Sequence, residues 1–418
     1  MEDDDDLAVP ILPPSSSSEE DEDGYGGVTA ASGLAGEEMA VLLRAIANGE
    51  AEEAAPQLAD VEFWREFGAP IGLHCEELAA LGGEMTHSKE ITANLRDNLD
   101  RGGFLLPTTD HESERCENGD LCARLCKGLR KLKAAGFAPA FIYIFDEAWI
   151  AIERQWRLLG AVLTSDCDGD GDVTTTVLEP SMGAHVLSRP VAPHGAAEDG
   201  VASSCTTELQ RHTFIGGSFS KPHRDHSSNE CFDDDGRPTL LSLWLPVTDV
   251  TTDNGCMFVI PRESDPLLHR PEHPRHLAPH KGLDVGAAIA LAPTCRGCGL
   301  AWHGSLVHWG GQCASFAEAE PRAALTAAVR LRRARATTLQ AQQERSLPEI
   351  TLDSLPLPLH ERIRHAAGSV LLYSFWYGLH TGVLPPELVN ARSRSGSMQE
   401  GSDEIRVARF GSAPREPS

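Results

Sequence analysis

Positive charge is in short supply in this sequence. Lys and Arg number 36 against 62 Asp and Glu, a formal net charge of −26 over 418 residues. Nucleic acid and anionic membrane both need a basic face, so neither is expected as a partner. Part of the acid surplus is local, since Met1–Gly26 holds ten acids and no Lys or Arg. Long apolar runs are missing too: none reaches the roughly 18 residues that cross a bilayer. The acidic N-terminus lacks the positive region of a signal or transit peptide. The C-terminal APREPS is not a peroxisomal SKL signal. The eleven cysteines are an odd number without framework spacing, which argues for reduced, buried thiols in an intracellular, cytoplasmic protein. Cys295-x-x-Cys298 has no second CxxC to complete a zinc site, and a loop is the expectation there.

What is present divides into a helical first part and a strand-rich second part. Residues 1–35 are acidic, then Pro/Ser-rich, then Gly/Ala-rich, a composition that cannot offset its own ordering entropy and predicts a disordered tail. Apolar residues at helical spacing predict helices over 37–49, 91–99, 121–135 and 148–162. Arg101-Gly102-Gly103 is a glycine stop, followed by a short strand at Phe104-Leu105-Leu106. The basic face of the third helix (Arg124, Lys127, Arg130, Lys131, Lys133) reads as a solvated face rather than a seat for an anionic substrate. Asp166–Asp172 has the acid spacing of a calcium loop, but the position where the bidentate Glu belongs is Val177, so a turn is expected.

From Arg211 the pattern changes to short strands with polar punctuation, as in a sandwich or barrel of jelly-roll type. Thr239–Val247 is a buried strand. Thr252-Asp253-Asn254-Gly255 is a hairpin-type turn, with Cys256–Ile260 as the returning strand. Residues 287–291, 299–303 and 323–331 supply further strands. Four histidines at 269, 273, 276 and 280 read as a polar loop near a pocket mouth. Residues 334–360 look like an insertion, 361–378 like a helix, and 387–418 like a second disordered tail.

The chemistry concentrates at Lys221–Asp225, KPHRD. On a strand, His223 and Asp225 point to one face. They offer two of the three ligands of a facial-triad iron site. A third ligand should come from a distant strand, and His308 and His303 both qualify by alternation. Arg322 opens the strand 323–331. A buried Arg without a protein partner predicts an anion, and its planar fork matches a carboxylate.

The series PHRDHS, LLSLWLPVTDVTTDNGCMFVIPRESDP, GLAWHGSLVHWGG and PRAALTAAV resembles the phytanoyl-CoA dioxygenase-like branch of the Fe(II)/2-oxoglutarate-dependent oxygenases. The resemblance runs from about Arg211 to Leu331. It implies an α+β fold: a double-stranded β-helix (jelly-roll) core over about 173–332, with flanking α-helices at 36–165 and 361–378, in one domain spanning 36–386. It implies that His223, Asp225 and His308 hold Fe(II), that Arg322 grips 2-oxoglutarate, and that Trp244 lines the co-substrate pocket. The expected reaction uses O2 to hydroxylate a small-molecule or lipid-like substrate, with release of succinate and CO2, in a monomer. Related halogenases carry a small residue where Asp225 stands, so a carboxylate favours hydroxylation. Gly310 departs from the family, whose members often have a hydroxyl residue there. That departure supports an alternative, a non-catalytic jelly-roll binding protein. A zinc hydrolase using the same three ligands is a third reading, with no evident general base and no need of Arg322.

Overall fold

In the computed structural model the described residues are 36–75, 89–106, 112–165, 175–180, 182–189, 222–277, 279, 284–314, 316–332, 334, 347, 349–373, 377 and 384. Both expected tails, the acid-rich turn at 166–172 and His280 lie outside them. The rest combines helices with two antiparallel sheets. The expected helical stripes are found, the last three within longer elements. Gly36–Ala47 buries Met39, Leu42, Leu43 and Ile46. The other predicted helices occupy Lys89–Gly102, Glu112–Ala134 and Asp146–Thr164. Gly103 ends the second at φ 84°, where a Cβ would lie 2.7 Å from His303 Nε2, so only glycine fits. The C-terminal helix is Leu359–Leu372, and residues 374–376 and 378 of the expected span lie outside the described residues.

Sequence patterning gave no sign of the helix Val61–Gly68, capped by the Asp60 carboxylate accepting from Glu62 N. Its Trp64 is fully buried, donates to Leu58 O at 2.8 Å, and meets Phe137 and Phe141 at ring separations of 5.2 and 6.2 Å. Trp64→Ala is therefore expected to cost about 3–5 kcal/mol, through cavity formation and an orphaned carbonyl. A urea titration followed by circular dichroism checks this, and a loss under about 1 kcal/mol would deny the cluster that role.

The larger sheet runs β1 (Phe104–Leu105), β7 (Leu300–His303), β4 (Leu240–Pro246), β9 (Ala323–Leu331), β2 (Thr176–Leu178) and β10 (Ile350–Thr351), with β3 (Gly183–Val186) also on β9. The smaller runs β6 (Ile289–Leu291), β5 (Met257–Val259) and β8 (His308–Gly310). β10 thus gives part of the supposed insertion a place in the sheet. β4 is buried on both faces. Leu241, Leu243 and Leu245 join the core shared with the helices, while Trp244 packs with Phe258, Trp302 and Trp309. The period of two thus separates the side that carries stability from the side that lines the cavity.

Two sequence expectations need correction. Cys256–Ile260 does not return along 239–247: β5 pairs with β6 and β8 in the other sheet. The Asn254 amide donates to Asp249 O and Glu320 O, and Gly255 sits at φ 107°, so Asn-Gly shapes a crossing between sheets instead of a tight hairpin. Nor is the basic helix face merely solvated. Arg124 pairs with Glu147, Arg130 with Glu320, and Lys133 with Ser188 and the Val186 carbonyl, so these cations tie the helix to its neighbours.

Candidate metal centre and cavity

His223 and His308 form an antiparallel bridge in which each backbone N–H donates to the other's carbonyl, at 3.1 and 3.0 Å. The bridge adds His223 to the edge of β8 and brings the two imidazole centroids to 4.5 Å. Asp225 is not on a strand, contrary to the sequence expectation. The chain bends at Asp225 and His226. Between the two candidate ligands, Arg224 has a fully buried side chain anchored to Asp265. The bend still carries the Asp225 carboxylate to 3.6 Å from His223 Nε2 and 3.4 Å from His308 Nε2. The three ligand-type atoms lie within 4.8 Å of one another, so one ion could reach all of them.

Neighbouring groups fix how these side chains present themselves. His308 Nδ1 lies 3.0 Å from Leu306 O. A carbonyl only accepts, so Nδ1 carries a proton and Nε2 is the nitrogen turned toward Asp225. Ser242 Oγ donates to Asp225 Oδ2 at 2.7 Å, which leaves Oδ1 toward the imidazoles. Burial alone would raise the Asp225 pKa, but His308 and His223 outweigh it and hold the carboxyl well below its usual range. Two imidazoles and an ionised carboxylate match the donor set of a non-haem iron(II) centre with open positions.

The centre opens on a cavity of about 110 Å3, lined also by His185, Trp244, Met257, Trp302, Gly310 and Arg322. That is several times the space of a single buried water. Arg322 is 3% exposed, and burial lowers its pKa to about 10, still charged at neutral pH. Its Nη1 donates to Gly255 O at 2.6 Å, its Nε has no partner, and no described carboxylate pairs with it. The guanidinium lies 5.6 Å from the Trp244 ring centroid, a cation–π arrangement. Gly310 gains a physical account here. A Cβ on it would stand 2.8–2.9 Å from Arg322 Nη2 and Nη1, so the guanidinium occupies the space a side chain would need.

The two distal histidines separate cleanly. His308 faces the centre. His303 sits opposite Leu241 on the far side of the sheet and packs against Phe232 at 4.9 Å. Burial drives its pKa down to about 3, and both ring nitrogens lack partners. Of the other histidines noted in the sequence, His276 is structural: Nδ1 donates to Leu267 O, and Nε2 accepts from Ser228 N. His185, on β3, was not visible as a site residue. It lines the cavity through its register opposite Ala324 on β9, a pairing no local sequence signal announces. Burial, then Arg322, brings its pKa to about 3, so it faces the cavity neutral. Cys295 and Cys298 form a turn closed by Cys298 N donating to Cys295 O, as expected of a loop. No described helix is long and apolar enough to cross a membrane.

The family described as phytanoyl-CoA dioxygenase matches residues 121–318, a span that includes His223, Asp225 and His308 and ends just before Arg322. No curated protein matches the chain. Among solved structures, the non-heme alpha ketoglutarate dependent epimerase SnoN from nogalamycin biosynthesis is 15% identical, with a TM-score of 0.34 over 58% of this chain and 84% of its own. The non-heme monooxygenase ThoJ is 18% identical, with a TM-score of 0.35 over 57% of this chain and 78% of its own. AviO1 from Streptomyces viridochromogenes Tue57 is 14% identical, with a TM-score of 0.33 over 62% of this chain and all of its own.

Proposed function

We propose that this chain, a phytanoyl-CoA dioxygenase-like, 2-oxoglutarate-dependent dioxygenase that uses iron(II) and O2, hydroxylates a small-molecule substrate and releases succinate and CO2. His223, Asp225 and His308 would hold the iron, and Arg322 with Trp244 would seat the distal carboxylate of 2-oxoglutarate. The observation that carries this reading is the combination within one cavity of a His/Asp/His cluster and a buried guanidinium with no carboxylate partner among the described residues. The two sheets are read as the halves of a double-stranded β-helix, with the centre between β4 and β8.

Bound iron supplies the dioxygen chemistry that decarboxylates the 2-oxo acid and oxidises a C–H bond. The chain's own residues orient and protect. Ser242 holds the Asp225 carboxylate by Oδ2, and Leu306 O holds the His308 ring by Nδ1–H. Arg322 supplies a fixed positive charge in a site where burial strengthens every electrostatic contact. Met257, Trp244 and Trp302 give the cavity apolar walls that limit water beside the reacting atoms. Asp225 itself favours hydroxylation over halogenation, because it fills a position that a halide would need. Gly310 no longer favours a non-catalytic binder, since its missing side chain is what admits the Arg322 guanidinium.

The test is an anaerobic Fe(II) titration followed by 2-oxoglutarate and air. Stoichiometric iron binding and slow succinate formation without added substrate are expected, and both should vanish in His223→Ala. A protein that binds no Fe(II) at all under anaerobic conditions would end this reading.

A further inference from the structure

The residue between the two proximal ligand candidates is as constrained as they are. The Arg224 side chain is 0% exposed and that of Asp265 is 1% exposed. They meet as a bidentate pair, Nη1 to Oδ2 at 2.6 Å and Nη2 to Oδ1 at 2.8 Å. The same guanidinium donates from Nε to His276 O and from Nη1 to Ser305 O, both at 2.6 Å. Four of its five N–H groups are thereby used on three targets. Those targets lie on two segments besides its own. One is the 262–277 loop, which also receives the Arg224 backbone N–H at Leu277 O. The other is the turn from His303 to His308, which receives the His226 N–H at Gly304 O.

From this geometry we infer that Arg224 is a positioning residue of the metal centre. Paired with Asp265, it sets the His223–Asp225 bend against the turn that carries His308. The inference rests on the reading of the cluster as an iron site and goes beyond it by adding a residue that touches no ligand. The physical case is one of geometry. Asp225 is off the strand, so no sheet ladder fixes its carboxylate relative to His308. What fixes the bend is the planar fork of Arg224, held at Asp265 and Ser305. A buried pair of this kind contributes little net stability over apolar residues of similar volume. It does select one arrangement of the segments it joins.

That contrast gives the test. The double variant Arg224→Met/Asp265→Leu replaces the pair by apolar side chains and should melt within a few degrees of the wild type. Its Fe(II) dissociation constant should rise about 10–100-fold, the usual effect of removing a group that orients metal ligands. The visible spectrum of a Co(II)-substituted sample should change as well, since it reports ligand geometry without turnover. Arg224→Lys keeps the charge but loses the fork, and should fall between the wild type and the double variant. Wild-type metal affinity and an unchanged Co(II) spectrum in a folded double variant would overturn the inference. Should the double variant not fold, Arg224→Lys and Asp265→Asn are read the same way. Failure of all three to fold would also overturn it, by assigning the pair to global stability. Wild-type protein that binds neither ion refutes the iron reading instead, so the two failures are distinct.

Discussion

His308→Ala is expected to lower iron affinity by well over about 100-fold and to abolish 2-oxoglutarate turnover. It removes a direct donor, and even groups that only orient donors are worth 10–100-fold. The fold should survive. The bridge to His223 is made by the His308 backbone N–H and carbonyl, which the substitution keeps. The matched control is His303→Leu. That ring is buried with both nitrogens unpaired, a costly state that an apolar side chain of similar size relieves. His303→Leu should bind iron like the wild type and be equally stable or more so, by up to about 1 kcal/mol. Anaerobic equilibrium dialysis with Fe(II) and a thermal melt on the three proteins decide the matter. A variant at 303 that loses iron while the variant at 308 retains it would reassign the distal ligand.

That pair of histidines marks where sequence reasoning stopped. Alternation treats positions 303 and 308 alike, because each lies on a short strand of apolar neighbours. What separates them is the turn His303–Leu306, closed by Leu306 N donating to His303 O, after which the chain enters the other sheet. A change of sheet leaves no periodic trace. The same blindness produced the false hairpin at Asn254-Gly255, where a strong local turn signal sits on a crossing. Helices fared better because their burial is one-sided and local: the stripe Met39, Leu42, Leu43, Ile46 is both the signal and the core contact. Arg322 was legible for a different reason. A cation at the start of an apolar strand is anomalous in composition alone.

The orienting groups were not legible. Ser242 is one polar residue in a buried strand, and nothing in LLSLWLP says that its hydroxyl meets a carboxylate seventeen residues earlier. Asp265 lies forty-one residues from Arg224, in the PRESDP end of the quoted series, where no local signal announces the pairing. Gly310 shows the opposite error. Its lack of a side chain looked like a missing function, whereas the structure gives the space to Arg322.

Arg322→Met carries the second large expected effect, and it runs in opposite directions for binding and for stability. In the protein without co-substrate the guanidinium is buried, with an unpartnered Nε and no described carboxylate beside it. Such a charge costs several kcal/mol in desolvation that Gly255 O and the Trp244 face only partly offset. Methionine of similar length removes that cost, so the ligand-free variant should melt at or above the wild-type temperature. Binding of 2-oxoglutarate should suffer greatly. Charge-assisted hydrogen bonds contribute about 1.5–3 kcal/mol each, so losing a forked contact to the carboxylate should weaken affinity by at least about 100-fold. The wild type should gain about 2.7 kcal/mol of stability at a ligand concentration 100 times the dissociation constant. The variant should gain almost none. Iron affinity should not change, because His223, Asp225 and His308 make no hydrogen bond to Arg322. Melts with and without 2-oxoglutarate, each in the presence of a redox-inert metal such as Zn(II), read both effects in one series. A variant that is destabilised alone yet still stabilised by 2-oxoglutarate as strongly as the wild type would show that Arg322 serves the fold and that the carboxylate binds elsewhere.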